Sequence, residues 1–193
     1  LQLAGRVFFH LVENTKGGAP FAFLATYTTS LGGDGMSRHL PLKYALQEYG
    51  DDRDTLLELL GTVYRAARDS ALLPQLLENG EIFHPLGWEP QQAYTFLQEV
   101  PLYERSGILC RIPNWWNAKS AGARLQVTIG TAAPTFVGMK ALVNCVPSLS
   151  INGVPITAAE ARQLLHQSEG LALIKNKWVA VDKERLAQTL AAY

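Results

Sequence analysis

Two aromatic and three basic side chains lie close together in the stretch CRIPNWWNAKSAGARLQV. They are Arg111, Trp115, Trp116, Lys119 and Arg124. Aromatic rings interleaved with cations can stack on nucleic-acid bases while the cations pair with phosphates. The alternative is structural: one tryptophan fills the core, and the cations lie at its edge with their aliphatic stems over apolar surface. The pattern therefore predicts a nucleic-acid contact, with a structural explanation standing beside it.

A second basic group follows the glycine cluster SLGGDGMSRH and contains Arg38, His39 and Lys43. These residues could contact phosphates, or they could form an ordinary solvated surface. The glycines themselves do not predict a nucleotide site. A phosphate-binding loop needs the pattern GxxxxGK[ST], and no lysine–hydroxyl pair follows Gly35. We interpret the glycine cluster as a turn after a strand.

Residues for metal binding or catalysis are present but not in a recognisable arrangement. The four histidines are scattered, and neither Cys110 nor Cys145 lies at close ligand spacing from one of them. A nucleophile elbow of the form GxSxG is missing, and Cys110 falls in an apolar strand pattern, where a buried thiol is expected. General acid–base chemistry by Glu48, Glu81 or His84 has no spacing in its favour. The sequence thus assigns no catalytic, cofactor-binding or metal-binding residue.

Hydrophobic periodicity predicts the elements that must position these side chains in the first half of the chain. The predicted elements are a helix over 1–14, a strand over 21–29, a short helix over 42–49, a helix after the DDRD segment at 51–54, a further helix after Ser70, and a helix that begins at Pro90. Pro101 is expected to end that last helix. Its cap is expected to be weak, because Glu89 precedes Pro90 where a hydroxyl residue would be stronger.

In the second half of the chain, the apolar residues follow the two-residue period that is typical of strands. Strands are predicted over 107–113 and 123–130, followed by a hairpin over 145–157, a helix after Thr157, a second hairpin over 170–182, and a helix after Asp182. The fold class is therefore α+β: a helix-rich N-terminal part with a few strands, then a hairpin–helix–hairpin–helix module. We predict a boundary that separates 1–135 from 136–193, or one continuous domain across both.

Composition limits the function classes. The 193 residues carry 17 basic and 17 acidic side chains, so no global field attracts DNA and any nucleic-acid contact must come from a local patch. The apolar runs are too short for a membrane span, and two cysteines without a CxxC pattern fit a reducing compartment. Because the chain begins at Leu1 and not at a methionine, we expect it to be a piece of a longer protein.

Several stretches together resemble a known family. They are HLVEN, PFAFLATYTT, HLPLKYALQEY, GEIFHPLGWEPQQAYTFLQEVPLYERSGILCRIPNWW, QVTIG and LLHQSEGLALIKNKWVAVDKERL. They are similar to the helicase-associated domain that precedes the motor in bacterial Swi/Snf-type ATP-dependent helicases. The similarity runs in colinear order from about residue 9 to residue 190. Gly87 departs from the pattern, since a basic residue is expected there, and this argues against a phosphate contact by that loop.

The resemblance implies a non-catalytic accessory or regulatory domain in a cytoplasmic DNA translocase. It implies that the ATPase motor lies C-terminal of this segment, that ATP and Mg²⁺ belong to that motor, and that the motor lobes of the same polypeptide are the partner, with no membrane or metal involved. Some parent proteins serve anti-phage defence, including the Zorya type, in which a nuclease activity accompanies the motor. DNA contact by the domain, a protein-interaction or autoinhibitory role without DNA, and an independent small enzyme remain the alternatives.

Overall fold

The computed structural model describes residues 5–30, 37–116, 125–131, 145–151, 153–166 and 170–193. The chain divides into two compact units, Leu1–Trp116 and Asn117–Tyr193. The predicted boundary at 135/136 lies within the second unit, because the strand over 125–131 pairs with the strand over 145–151. The α+β class is confirmed, since helices and small sheets occur together in the chain.

A five-stranded sheet organises the first unit. Its strands are β1 (Val7–Glu13), β2 (Phe21–Ser30), β3 (Ser37–Pro41), β4 (Leu86–Trp88) and β5 (Leu109–Arg111). The order across the sheet is β3-β2-β1-β5, and β4 pairs with β2 beside this path. β1 and β5 run parallel, whereas β2 is antiparallel to each of its partners. The strand prediction over 21–29 is confirmed by β2.

The helix prediction over 1–14 is wrong, because this segment contains β1. Val7, Phe9 and Leu11 are buried, and they alternate with the partly exposed Phe8 and His10. A period of two with β-branched and aromatic residues is typical of a strand. β1 pairs with β2 along its whole length on one edge and with β5 at Phe8, Phe9 and His10 on the other.

The helices of the first unit follow the sequence closely. They are α1 (Ala45–Glu48), α2 (Arg53–Ala67), α3 (Leu73–Glu78) and α4 (Pro90–Arg105). The predicted starts are confirmed, and the Asp52 carboxylate accepts a hydrogen bond from the Thr55 amide at the start of α2 (3.2 Å). These four helices give the N-terminal part its helical content, next to the sheet.

Two details of α4 differ from prediction. The helix continues past Pro101 to Arg105, so the predicted end was wrong. Val100 and Tyr103 are buried on either side of the proline, and this packing holds the last turn against the core. The weak cap is also corrected: Glu89 and Gln92 form a reciprocal capping box, in which the Glu89 amide donates to Gln92 Oε1 (3.0 Å).

An aromatic cluster joins the sheet to α4. The Phe9 ring lies 5.4 Å from Phe23 and 5.3 Å from Tyr103, and Phe96 lies 5.5 Å from Phe23. Trp88 stacks on Phe23 at 4.4 Å. These rings are fully buried, so the inner face of the sheet is a packed core that leaves only the outer face of the strands for recognition.

The second unit has the predicted hairpin–helix–hairpin–helix order. Its elements are β6 (Leu125–Thr131), β7 (Cys145–Ile151), β8 (Val154–Ile156), α5 (Ala158–His166), β9 (Gly170–Ile174), β10 (Lys177–Val181) and α6 (Lys183–Ala192). The predicted Thr157–Glu160 capping box is confirmed by two reciprocal hydrogen bonds of 3.1 Å. Asp182 caps α6 as predicted, and Asn152 of the predicted hairpin turn lies outside the described residues. Within the described ranges, no helix has the length and apolarity that crossing a membrane requires.

Candidate nucleic-acid interface

The outer face of the first-unit sheet carries the residues that alternate with the core positions. On β1 these are Phe8 and His10, and the strand register places Arg111 of β5 directly opposite His10. On the other side of β1, Thr26 of β2 lies opposite Phe8. His39 of β3 lies opposite Thr28, one step further across the sheet. Period-two alternation thus gathers side chains from four strands on one surface.

Four of these side chains are in contact and form what we term the stacking row: Phe8, His10, His39 and Arg111. The guanidinium carbon of Arg111 lies 5.3 Å from the Phe8 ring centroid, which is cation–π geometry. The His39 ring meets Phe8 edge-on at 4.5 Å, and the His10 ring lies 6.2 Å from Phe8 in a stacked orientation. The row therefore combines one permanent cation with three planar rings.

Thr26 links the two histidines of the stacking row. A hydrogen bond joins His10 Nε2 to Thr26 Oγ1 (2.8 Å), and Thr26 Oγ1 lies 3.4 Å from His39 Nδ1. Thr26 is buried, so it fixes both rings from below. Burial lowers the pKa of His10 below its ordinary value of 6.5, and the charges of Arg111 and His39 lower it further. His10 is accordingly neutral at pH 7 and acts as a planar polar ring.

An open groove of about 420 Å³ adjoins the stacking row. His10 and Arg111 line one part of it, and Trp115 lines another. The Trp115 indole N–H donates a hydrogen bond to the Glu13 carboxylate, which fixes the indole ring at the end of β1. Two of the residues predicted from sequence, Arg111 and Trp115, are thereby brought to one concave surface.

The other predicted residues of that stretch have different positions. Trp116 is buried and contacts Tyr94 edge-on at 6.1 Å, so the structural explanation applies to this tryptophan. Lys119 and Arg124 lie outside the described residues. The predicted cluster is thus represented by Arg111 and Trp115 in the part of the chain that the structure describes.

The second predicted basic group is divided by the strand geometry. Arg38 and His39 are adjacent on β3, so their side chains leave the sheet on opposite sides, and only His39 joins the stacking row. Lys43 is exposed in the 3₁₀ turn Leu42–Tyr44, and its ammonium lies 5.1 Å from the Tyr44 ring centroid. Gly87, where the family pattern favours a basic residue, packs close to Ala19: an added Cβ would lie 3.0 Å from the Ala19 Cβ.

Sequence reasoning did not identify Phe8 and His10 as site residues. The cause is the helix prediction over 1–14, which hides the alternation of Phe8, His10 and Val12 with the buried residues. The signal was present, because VFFHLV alternates apolar core residues with a second, more varied set. A period-two assignment would have placed both residues on the outer face together.

Ser70, Glu99 and Tyr103 form the cluster that most resembles catalytic machinery. One Glu99 oxygen accepts hydrogen bonds from Ser70 Oγ and Tyr103 Oη, both 2.6 Å, and the other accepts from the Ala71 amide (2.6 Å). Ser70 Oγ in turn accepts from the amide of Leu73, the first residue of α3 (2.9 Å). Burial raises the pKa of the Tyr103 hydroxyl, and Glu99 raises it further. The cluster thus holds the start of α3 on α4.

The residues that the structure describes do not support metal binding or catalysis by a cysteine thiol. Among them, no group of three or more His, Cys, Asp or Glu side chains is placed to hold a metal ion. Burial, together with the nearby Glu104 charge, raises the pKa of the Cys110 thiol to about 12. Such a thiol is protonated at neutral pH and is a poor nucleophile.

Comparisons with known proteins agree on one family. The model of a family described as "SNF2 Helicase protein" matches residues 81–193. The curated protein "Putative ATP-dependent helicase/translocase YwqA" of Bacillus subtilis (strain 168) is 26% identical over 102 residues. That match covers 51% of this chain and 11% of the relative, so the chain corresponds to a small part of the relative's length. No solved structure matches the chain significantly.

Proposed function

The chain belongs to this SNF2 helicase family, and we propose that it is a non-catalytic accessory module of a Swi/Snf-type ATP-dependent DNA helicase or translocase. The family match over 81–193 is the observation that carries the proposal, and the name of the Bacillus subtilis relative agrees with it. In this account ATP and Mg²⁺ act in the motor, and the module works beside it in the cytoplasm. Its task is to restrain or direct the motor lobes.

Helix α2 supplies a surface for docking on the motor. Leu57 and Tyr64 are 59% and 56% exposed, although both are large and apolar. They are seven residues apart, which places them on the same helix face two turns from each other. Exposed apolar residues that repeat along one helix face favour a protein contact, and the motor lobes are the partner that the family implies.

The docking proposal is tested with the parent helicase. We expect the double substitution Leu57→Asp with Tyr64→Asp to change the ATPase rate of the parent protein at least several-fold, because charged side chains cannot pack in an apolar interface. Leu46→Asp on α1 is the matched control, since Leu46 is also exposed but lies on another helix. Docking through α2 is contradicted if the double variant, like the Leu46→Asp control, has the wild-type ATPase rate.

DNA contact by the module is the second part of the proposal. The outer face of the sheet supports it, because Arg111 and two imidazoles are gathered beside the groove that Trp115 lines. The alternative is a protein-interaction or autoinhibitory module without DNA contact, and the apolar face of α2 favours it. Titration of the chain with DNA separates the two: an inverse salt dependence supports DNA contact, and no binding at low salt supports the alternative.

We also propose a role in anti-phage defence, which the family resemblance supports. Plating of phages on cells that carry the wild-type parent or the Leu57→Asp, Tyr64→Asp variant tests it. Protection that requires the parent and is lost in the variant supports the role, and equal plating without the parent contradicts it.

A further inference from the structure

We propose that the outer face of the first-unit sheet binds single-stranded DNA, with the stacking row as a platform for unpaired bases. The inference rests on the proposed function and deepens it, because it names the surface and the form of the nucleic acid. The row crosses the sheet from Arg111 on β5, over Phe8 on β1, to His39 on β3.

The chemistry of the row matches unpaired bases. Arg111 and His39 are exposed, whereas Phe8 and His10 are partly exposed, and Thr26 holds the His10 ring by a hydrogen bond. Guanidinium planes and aromatic rings stack on the face of any base, which makes such a surface tolerant of sequence. Phe8 contacts both Arg111 and His39, and these two contacts keep the three side chains in place before a ligand binds.

Local charge favours a polyanion on this face. The outward positions of β1, β2, β3 and β5 are occupied by apolar residues, threonines, two histidines and Arg111, with no carboxylate among those that the structure describes. The chain as a whole is neutral, with 17 basic and 17 acidic residues. A phosphate backbone would therefore be attracted by Arg111 on the strands, while the Glu13 carboxylate that holds Trp115 lines the adjoining groove.

The shape of the face favours a single strand over a duplex. Three inter-strand spacings separate β3 from β5, which gives a platform about 14 Å wide. Sheet platforms of this kind stack two or three unpaired bases. Bases in a duplex are already stacked on each other, and a broad sheet face does not enter the grooves where their edges are displayed. The groove beside His10 and Arg111 continues the path toward Trp115.

Fluorescence anisotropy with a labelled 15-nucleotide thymidine oligomer tests the site. We expect Arg111→Gln to weaken binding about tenfold and to reduce the slope of log affinity against log salt by about 0.7, as the loss of one phosphate contact predicts. Phe8→Leu keeps an apolar side chain but removes the ring, and we expect a loss of about tenfold. The matched controls are Arg68→Gln and Tyr64→Leu, which remove the same chemistry from exposed positions on α2 and at its C-terminal end.

Several outcomes overturn the inference. The first two are the absence of binding at low salt and a loss of affinity in the control variants equal to that in Arg111→Gln and Phe8→Leu. The other two are an affinity for a duplex of the same length equal to that for the single strand, and a higher affinity for the uridine RNA oligomer. Circular dichroism confirms that each variant is folded, and the exposed Arg111 provides the test if Phe8→Leu is not. If DNA binding fails while α2 substitutions still change the motor's ATPase rate, this site is refuted and the accessory role is not.

Discussion

The hydrogen bonds of Glu99 yield a prediction that separates a structural carboxylate from a catalytic one. Glu99 accepts from Ser70 Oγ, Tyr103 Oη and the Ala71 amide, each at 2.6 Å. The substitution Glu99→Gln preserves the shape but replaces one acceptor oxygen with a donor NH₂ group. We expect it to destabilise the fold, because at least one of the three donors then loses its partner next to a buried tyrosine.

The magnitude follows from the bonds that are lost. A hydrogen bond to a charged group contributes about 1.5–3 kcal/mol, so losing one or two of these bonds costs about 1.5–6 kcal/mol. With a mid-range urea dependence of about 2 kcal/mol per molar, the unfolding midpoint falls by about 1–3 M. Tyr103→Phe removes a single bond to this carboxylate and should cost about 1.5–3 kcal/mol.

Urea unfolding followed by circular dichroism measures these shifts. Glu58→Gln on α2 is the control, because Glu58 is exposed on the helix surface. The costs of Glu99→Gln and Tyr103→Phe should not be additive, since both substitutions act on one hydrogen-bond network. A midpoint for Glu99→Gln equal to that of Glu58→Gln would refute the structural role and return the cluster to consideration as catalytic machinery.

Two predictions concern titration. The pKa of His10 is lower in the folded than in the unfolded chain, so protonation favours the unfolded chain and the stability should fall as the pH drops below 6.5. Urea midpoints measured between pH 7 and pH 5.5 should therefore decline, and His10→Gln should reduce this decline. The pKa of Cys110 is raised to about 12, so little of this thiol is the reactive thiolate at pH 8.5. In the Cys145→Ser variant, in which Cys110 is the remaining cysteine, alkylation by iodoacetamide at pH 8.5 should be about a hundredfold slower in the native than in the urea-unfolded protein. Equal rates would contradict the burial of that thiol.

Local signals in the sequence predicted most of the elements correctly. The aspartate caps at Asp52 and Asp182 and the capping box at Thr157 each satisfy free amides at a helix start, and such interactions span only a few residues. Two of the errors have a tertiary cause. β1 is a strand because β2 and β5 pair with it from distant parts of the chain, and α4 passes Pro101 because Tyr103 packs in the core.

The candidate site was only partly predictable for the same reason. Arg111 and Trp115 were identified because aromatic and basic residues are close in sequence there. Phe8 and His39 come from other strands, and only the sheet register places them beside Arg111. The alternation along one strand shows which residues share a face, but which strands become neighbours depends on pairing between distant segments, so a surface assembled from β1, β3 and β5 requires the fold.

The most direct test of DNA contact is a nuclear magnetic resonance titration of the chain with the thymidine 15-mer, with backbone amide, imidazole and indole signals assigned. We expect the largest shifts at Phe8, His10, His39 and Arg111, together with the indole N–H of Trp115. Shifts confined to α2, or no shifts at low salt, would contradict this expectation.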